Sequence, residues 1–222
     1  MTPFFRCEKV LLKIDLHVHS TYSYDSVITP RDLVVYAKKR GLDGVAIADH
    51  DNFDGALKMA KESDFFIVPG VEITSSEGHI IGLNVQGPVP KRLSADETVD
   101  RIHDAGGIAV ACHPVTFYKG SLGKHVTSKF DAVEVINASA FPFNYSVTQG
   151  HLLASRLGIP AVAGSDAHSR LEIGYAYTVI DAEMEVDKVI KAITRGSCRP
   201  FGRAIPVFTR LKRGVLVFKK RS

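Results

Sequence analysis

The octapeptide Lys13-Ile14-Asp15-Leu16-His17-Val18-His19-Ser20 decides how the chain is to be read. Residues 13–19 have the apolar run of a buried strand. Side chains two apart on a strand share a face, so His17 and His19 can grip one ion. Alone, the pair reads equally well as two hydrogen-bonded histidines with a structural role.

Working outward, strand-like runs alternate with helical segments of 3.6-residue period. Thr29-Pro30 supplies an N-cap and a first helical residue, and the helix that follows stops at Gly41. Residues 44–50 form the next strand, a helix carrying Ala56, Leu57 and Ala60 leads to a strand over 65–74, and a short connection leads to another over 78–85. Ser94 with Glu97 makes a capping box for a helix ending at Gly106-Gly107. Strands over 108–113, 132–137 and 160–165 follow, with a helix around 151–157, an accessory strand at 175–180 and a last helix at 186–194. Such alternation is the signature of βα units and a largely parallel sheet. No repeat or linker marks a second domain, and residues 114–129, rich in Gly, Ser and Lys, read as a loop over the site. The 222 residues are expected to form a single α/β domain, with a core of about 13–197 and a basic C-terminal extension of about 198–222.

Composition narrows the function classes. With 45% hydrophobic and 23% charged residues the chain has ordinary globular values. No apolar run is long enough to span a membrane, and residues 1–13 lack the uninterrupted apolar core of a signal peptide, so a cytoplasmic, membrane-free protein is expected. Three scattered cysteines, Cys7, Cys112 and Cys198, argue against disulfides and a thiolate zinc site. The net charge of +4 is uneven, because Arg195, Arg199, Arg203, Arg210, Lys212, Arg213, Lys219, Lys220 and Arg221 crowd the end of the chain. There, residues 204–208 and 214–218 read as strands or a loosely docked extension dispensable for turnover.

The nine histidines are informative through their placement. His17, His19, His50, His79, His113 and His168 fall at or beside strand ends, as do Glu72, Asp49 and Asp166. Each has an ordinary explanation taken singly: a salt bridge for Glu72, a turn or cap for Asp166 and His168. Those explanations must hold independently at every strand end, whereas convergence on one face of a barrel accounts for all of them together. Imidazole and carboxylate ligands without cysteine suit zinc, manganese or iron.

The segments Asp15-Leu16-His17-Val18-His19-Ser20, Ala48-Asp49-His50-Asp51, Gly70-Val71-Glu72, His79-Ile80-Ile81-Gly82, Cys112-His113-Pro114 and Gly164-Ser165-Asp166-Ala167-His168 resemble, in order, the motifs of the PHP (polymerase and histidinol phosphatase) phosphoesterase family. The resemblance implies a distorted seven-stranded (β/α)7 barrel, TIM-like, holding two or three divalent metal ions. Residues matching His17, His19, Glu72 and Asp166 would bind the first ion. Glu72 would bridge to a second held by His79 and His113, and a third would take Asp25, His50 and His168. Many relatives carry His where this chain has Asp25. The implied activity is hydrolysis of phosphomonoesters, nucleotides among them, by a metal-activated hydroxide, with Glu72, His50 and His168 as catalytic residues. Arg170 is expected to contact the phosphate, since guanidinium pairs bidentately with phosphate, and Asn137 to contact substrate from its strand end. Asp15 and Asp49 are candidates for orienting ligating imidazoles or for strand-end structural roles, and Cys112 for a small buried apolar side chain facing away from His113. Some relatives carry a long helical insertion before the His-Pro strand; only residues 84–107 fill that gap here, implying a less covered pocket. Two alternatives stand beside this reading: a metal-dependent exonuclease acting on oligonucleotides, and a non-catalytic nucleic-acid-binding module using the basic tail. Oligomeric state is not legible.

Overall fold

The computed structural model of the chain describes residues 11–118 and 120–221. The signal-peptide reading of the N-terminus rests mostly on residues 1–10, outside the described residues. β1 (Leu11–Val18) alternates between exposed and buried for its first residues and is buried from Ile14 onward. β2 (Gly44–Ile47), β5 (Ile108–Ala111) and β6 (Ala132–Asn137) are buried throughout, as strands covered on both faces must be. β3 (Phe66–Thr74), β4 (His79–Leu83), β7 (Ala161–Gly164), β8 (Ala176–Asp181) and β9 (Cys198–Gly202) complete a sheet in the order β7-β6-β5-β4-β3-β2-β1-β8-β9.

The sheet has nine strands rather than the expected seven, and it is mixed. β4 runs antiparallel to both β3 and β5. Its cause is local: residues 75–78 form a tight turn in which Ser75 N donates to Gly78 O at 2.9 Å, and a parallel pair would need a crossover of about a dozen residues. Strands β1 to β7 curl until their ends meet. Asp166 N donates to His17 O at 2.8 Å and His19 N to Ala167 O at 3.0 Å, which closes the barrel between β1 and β7 at one end. Further along that seam, antiparallel β8 lies on β1, and Thr178 Oγ1 accepts from Ala163 N at 2.8 Å and donates to Ala163 O at 3.0 Å. The result is a nearly closed, distorted TIM-like barrel in which the β8-β9 hairpin continues the sheet beyond β1. β9 lay inside the segment read as an extension; Pro200 suits it to the sheet edge, where a missing donor does no harm.

Leu12, Ile14 and Leu16, Ala46 and Ala48, Val68, Ile81 and Leu83, Ile108, Val110 and Cys112, Ala132 and Val162 make one cluster that fills the barrel. Val189, Ala192 and Ile193 of α5 (Val186–Thr194) join it. Outside the barrel, α1 (Pro30–Lys39) and α2 (Asp54–Glu62) pack against β1 to β3, while α3 (Ala95–Asp104) and α4 (Phe143–Leu157) cover β4 to β6. The capping box predicted at Ser94 and Glu97 is present.

The largest departure is at the C-terminal end. Residues 207–221, read as strands or a loose extension, form one helix, α6 (Val207–Arg221), lying across the barrel mouth. Valine and phenylalanine made it look strand-like, but Arg210, Arg213, Gly214 and Val217 recur at helical spacing and all face the same cleft. Arg210 donates to the carbonyls of Ile205, Ser139 and Ala138 at 3.0, 2.9 and 2.9 Å. Ten residues further on, Lys220 Nζ donates to Thr21, Ser23 and Ser26 carbonyls at 3.3, 2.8 and 2.8 Å. The helix is thus fastened near both ends, and its opposite side leaves Val207, Phe208, Leu211 and Val215 exposed. No helix among the described residues is long and apolar enough to cross a membrane.

Candidate metal centre

Strand ends bring the chemistry together. His17 ends β1 together with Val18, and His19 follows; a register irregularity between Asp15 and Val18 turns both imidazoles onto the barrel end although Leu12, Ile14 and Leu16 point to its interior. Glu72 comes from β3, His50 from just beyond β2, His113 from just beyond β5, and Asp166 and His168 from just beyond β7. His79 arrives from the first residue of β4, not from a C-terminal strand end, because the reversal of β4 places its start beside the end of β3. Asp25 lies on the β1–α1 loop, where Ser23 Oγ donates to its Oδ1 at 2.7 Å. Two of these residues sit at positive φ, His113 at 34° and Asp166 at 55°, a strained conformation of the kind found where function dictates side-chain direction.

His17 Nε2 and His19 Nε2 are 3.1 Å apart, and each lies 3.2–3.6 Å from Glu72 Oε2 and Asp166 Oδ1. Ligand atoms on a tetrahedral ion with bonds of ~2.0–2.1 Å are separated by about 3.3 Å, so this quartet has the right span. Glu72 Oε1 faces His79 Nδ1 at 2.9 Å and His113 Nε2 at 3.0 Å. Asp25 Oδ2 faces His50 Nε2 at 3.3 Å and His168 Nε2 at 3.1 Å, and the other nitrogen of His50 is 3.3 Å from Glu72 Oε2. In sets of three or four, the ligand atoms of these nine residues lie within 4.8 Å of one another.

Electrostatics favours positive charge at the centre. Burial alone would raise the Glu72 carboxyl, but His50 and His17 overcome it and hold the group well below the usual carboxylate range. Asp166 behaves likewise beside His17 and His19. Conversely, burial disfavours a charged His17, yet Glu134, Asp166 and Glu72 pull it well above its ordinary value. His168, similarly disfavoured by burial, is raised by Asp25 and Asp166, while the charge of Arg213 opposes them. Buried carboxylates in this number require cations nearby, and the donor set, all imidazole nitrogen and carboxylate oxygen, suits divalent transition ions.

Sequence reasoning missed Glu134. Its Oε1 is 3.0 Å from His17 Nδ1, and its Oε2 accepts from His113 N at 2.8 Å and from Asn137 Nδ2 at 2.9 Å. It therefore orients His17 from behind. The available signal was a lone carboxylate inside the buried strand Ala132-Val133-Glu134-Val135-Ile136-Asn137. Asn137 is itself buried and donates to Asp166 Oδ2 at 3.3 Å, so it braces a ligand instead of facing the cleft. Neither Asp15 nor Asp49 bonds to an imidazole among the described residues. Asp15 accepts from the backbone of Ser165 and Gly174, and burial pushes its carboxyl up to about 6; Asp49 holds Ser20. Cys112 is fully buried in the barrel interior, but its Sγ lies 3.4 Å from Glu72 Oε1, so it is more than apolar filling.

Arg170 is not where a phosphate contact was expected. It pairs with Asp32 at 3.1 Å and lies over the Tyr36 ring, away from the cleft. The cationic side chains above the ligands are Arg210 and Arg213 of α6. They form one wall of a cleft of about 620 Å³, floored by His50, Glu72, His79, His113 and Asp166, with Tyr118 and Phe141 also lining it. Pocket cover, judged thin from the short 84–107 segment, is thus supplied by the end of the chain.

Residues 149–198 match the PHP-associated family model. An uncharacterized protein of Methanocaldococcus jannaschii is 40% identical over 141 residues, covering 57% of this chain and 82% of that protein. A two-domain protein from Bacteroides vulgatus, containing a predicted PHP-like metal-dependent phosphoesterase, superposes with a TM-score of 0.71 at 17% identity, over 96% of this chain and 70% of that one. The chain belongs to the PHP family. Similarity also extends to a 5'-3' exoribonuclease of Haemophilus influenzae, 43% identical over 86 residues, which are 36% of this chain and 31% of that enzyme. The PHP-like metal-dependent phosphoesterase fold and the clustered ligands support use of divalent metal.

Proposed function

We propose that the protein is a hydrolase of phosphomonoesters, nucleotides among them. The observation that carries this reading is the position of Glu72: one carboxylate oxygen faces His17, His19 and His50, and the other faces His79 and His113. A carboxylate so placed can join two cation sites at the floor of an open cleft. His17, His19, Glu72 and Asp166 would hold one ion, Glu72, His79 and His113 a second, and Asp25, His50 and His168 a third. When bound, zinc, manganese or iron would supply Lewis acidity toward phosphoryl oxygens and lower the pKa of water.

The remaining roles fall to the chain. Glu134 and Asn137 keep His17 and Asp166 oriented, as partners behind ligands do in metalloenzymes. His50 and His168 act through charge and position, since both nitrogens of each are engaged: His50 with Glu72 and Asp25, His168 with Asp25 and the Asp166 carbonyl. Neither is free to carry a proton. Tyr118, whose hydroxyl burial holds well above its ordinary pKa, stays neutral at the cleft wall.

A second reading, release of terminal nucleotides from short oligonucleotides, is supported by the exoribonuclease relative. The non-catalytic binding module has less support, because Arg210, Arg213 and Lys220, three of the basic residues it relies on, turn toward the barrel. The test is hydrolysis of 4-nitrophenyl phosphate and of a nucleotide and oligonucleotide panel, with manganese or zinc. Turnover that disappears in His17→Ala and Asp166→Ala is expected; metal-loaded protein that cleaves no phosphoester would refute the reading.

A further inference from the structure

The two α6 guanidinium groups differ in what they bond. Arg210 is spent on structure: three of its N–H groups close on backbone carbonyls. Arg213, a turn further on and likewise lining the cleft, has only long contacts among the described residues, at 3.4 Å to Ser139 Oγ and 3.6 Å to the buried Glu172 carboxylate. Glu172 fixes its place, since the same carboxylate accepts the backbone N–H groups of His168 and Ser169 at 2.9 and 3.0 Å. Arg213 is therefore tied to the loop that carries Asp166 and His168, yet keeps most of its donors for something else. Apart from these two arginines, the described residues lining the cleft include no Lys or Arg.

From this geometry we infer that Arg213 is the specificity-determining residue for a terminal phosphate, so that α6 is part of the substrate site and selects phosphomonoesters over diesters. The inference rests on the phosphoesterase reading and names the substrate class at that site. A monoester dianion has three terminal oxygens. Ions on the floor can take some of them, and the planar fork of a guanidinium matches what is left. A diester has only two unesterified oxygens, and its second arm must pass the wall that α6 builds from Arg210 to Phe218. The segment that looked dispensable is then needed for affinity and selectivity. Gly214, next along the cleft-facing stripe, fits this role: it leaves open space beside Arg213, where even an added Cβ would meet nothing within 4 Å.

The experiment compares metal-loaded wild type with Arg213→Met, Arg213→Lys and, as a charge control on the same helix, Lys212→Ala, whose ammonium lies over Phe208. Inorganic phosphate binding is measured by calorimetry, and kcat/KM is measured for 4-nitrophenyl phosphate and bis(4-nitrophenyl) phosphate. Arg213→Met is expected to weaken phosphate binding at least tenfold and to lower the monoester-to-diester ratio at least tenfold through KM. Arg213→Lys should recover part of each, and Lys212→Ala neither. Should Arg213→Met destabilise the fold by leaving Glu172 unpaired, Arg213→Lys, which keeps a cation beside it, carries the test. Wild-type phosphate affinity and ratio in Arg213→Lys and any folded Arg213→Met, or equal losses in Lys212→Ala, would overturn the inference while leaving phosphoester hydrolysis intact. If phosphate binding falls in Arg213→Met but wild type cleaves neither ester, the anion site stands and the phosphoesterase reading fails.

Discussion

Single side chains carry this centre, and two of them make sharp tests. Glu134 bonds His17 Nδ1 and the His113 backbone from inside a strand with no exposed residue. Glu134→Gln keeps the shape but loses the charge, and such partners typically contribute about 10–100-fold in metal affinity or activity. A loss of that size is expected in a competition titration with a metal chelator, with the fold preserved by circular dichroism. Gly164 sits where β7 passes β1: a Cβ there would overlap His17 Cβ and lie 2.7 Å from Glu134 Oε1 and 2.8 Å from His17 N. Gly164→Ala should displace His17, so metal bound per chain should fall at least several-fold; unchanged stoichiometry would show that the strand can yield. The ligands themselves were legible because imidazoles and carboxylates at successive strand ends have one economical explanation. Glu134 showed only as a lone carboxylate in a buried strand, without its role, because the partners that define that role come from β1 and from just beyond β5, far away along the chain.

Among the elements, the seam between β7 and β8 and the helix α6 show what local pattern conveys. Most strands and helices could be placed from apolar periodicity and caps. The direction of β4 could not be read from its own residues, since only the brevity of the 75–78 turn dictates reversal. α6 was misread because its valines and phenylalanine suggested strands, while the helical spacing of Arg210, Arg213 and Val217 acquires meaning only against a cleft. Thr178 stitches the barrel seam through both polar groups of Ala163. Thr178→Val would leave a buried amide unpaired, a loss of about 1–3 kcal/mol, which a urea denaturation curve would register as a lower midpoint. Gly214→Ala has the opposite sign. It removes the glycine penalty of about 0.8–1.0 kcal/mol inside a helix and meets no neighbour, so amide exchange across α6 should slow several-fold.

For the molecule as a whole, the barrel gathers at one end more buried ionisable groups than protein partners alone should hold, and α6 forms one wall of the cleft above them. Stability and metal content should therefore be linked. Ions that bind only the folded chain stabilise it by about 2.7 kcal/mol when present at a hundred times their dissociation constant. Chelation should lower Tm by several degrees, manganese or zinc should restore it, and an unchanged Tm would argue that the cluster is satisfied by imidazolium–carboxylate pairs alone. The central claim is tested most directly by anomalous diffraction from crystals grown with manganese or zinc. The account predicts two or three peaks, one among His17, His19, Glu72 and Asp166 and a second on the other side of Glu72 toward His79 and His113. Fully loaded crystals with no peak between those residues would contradict it.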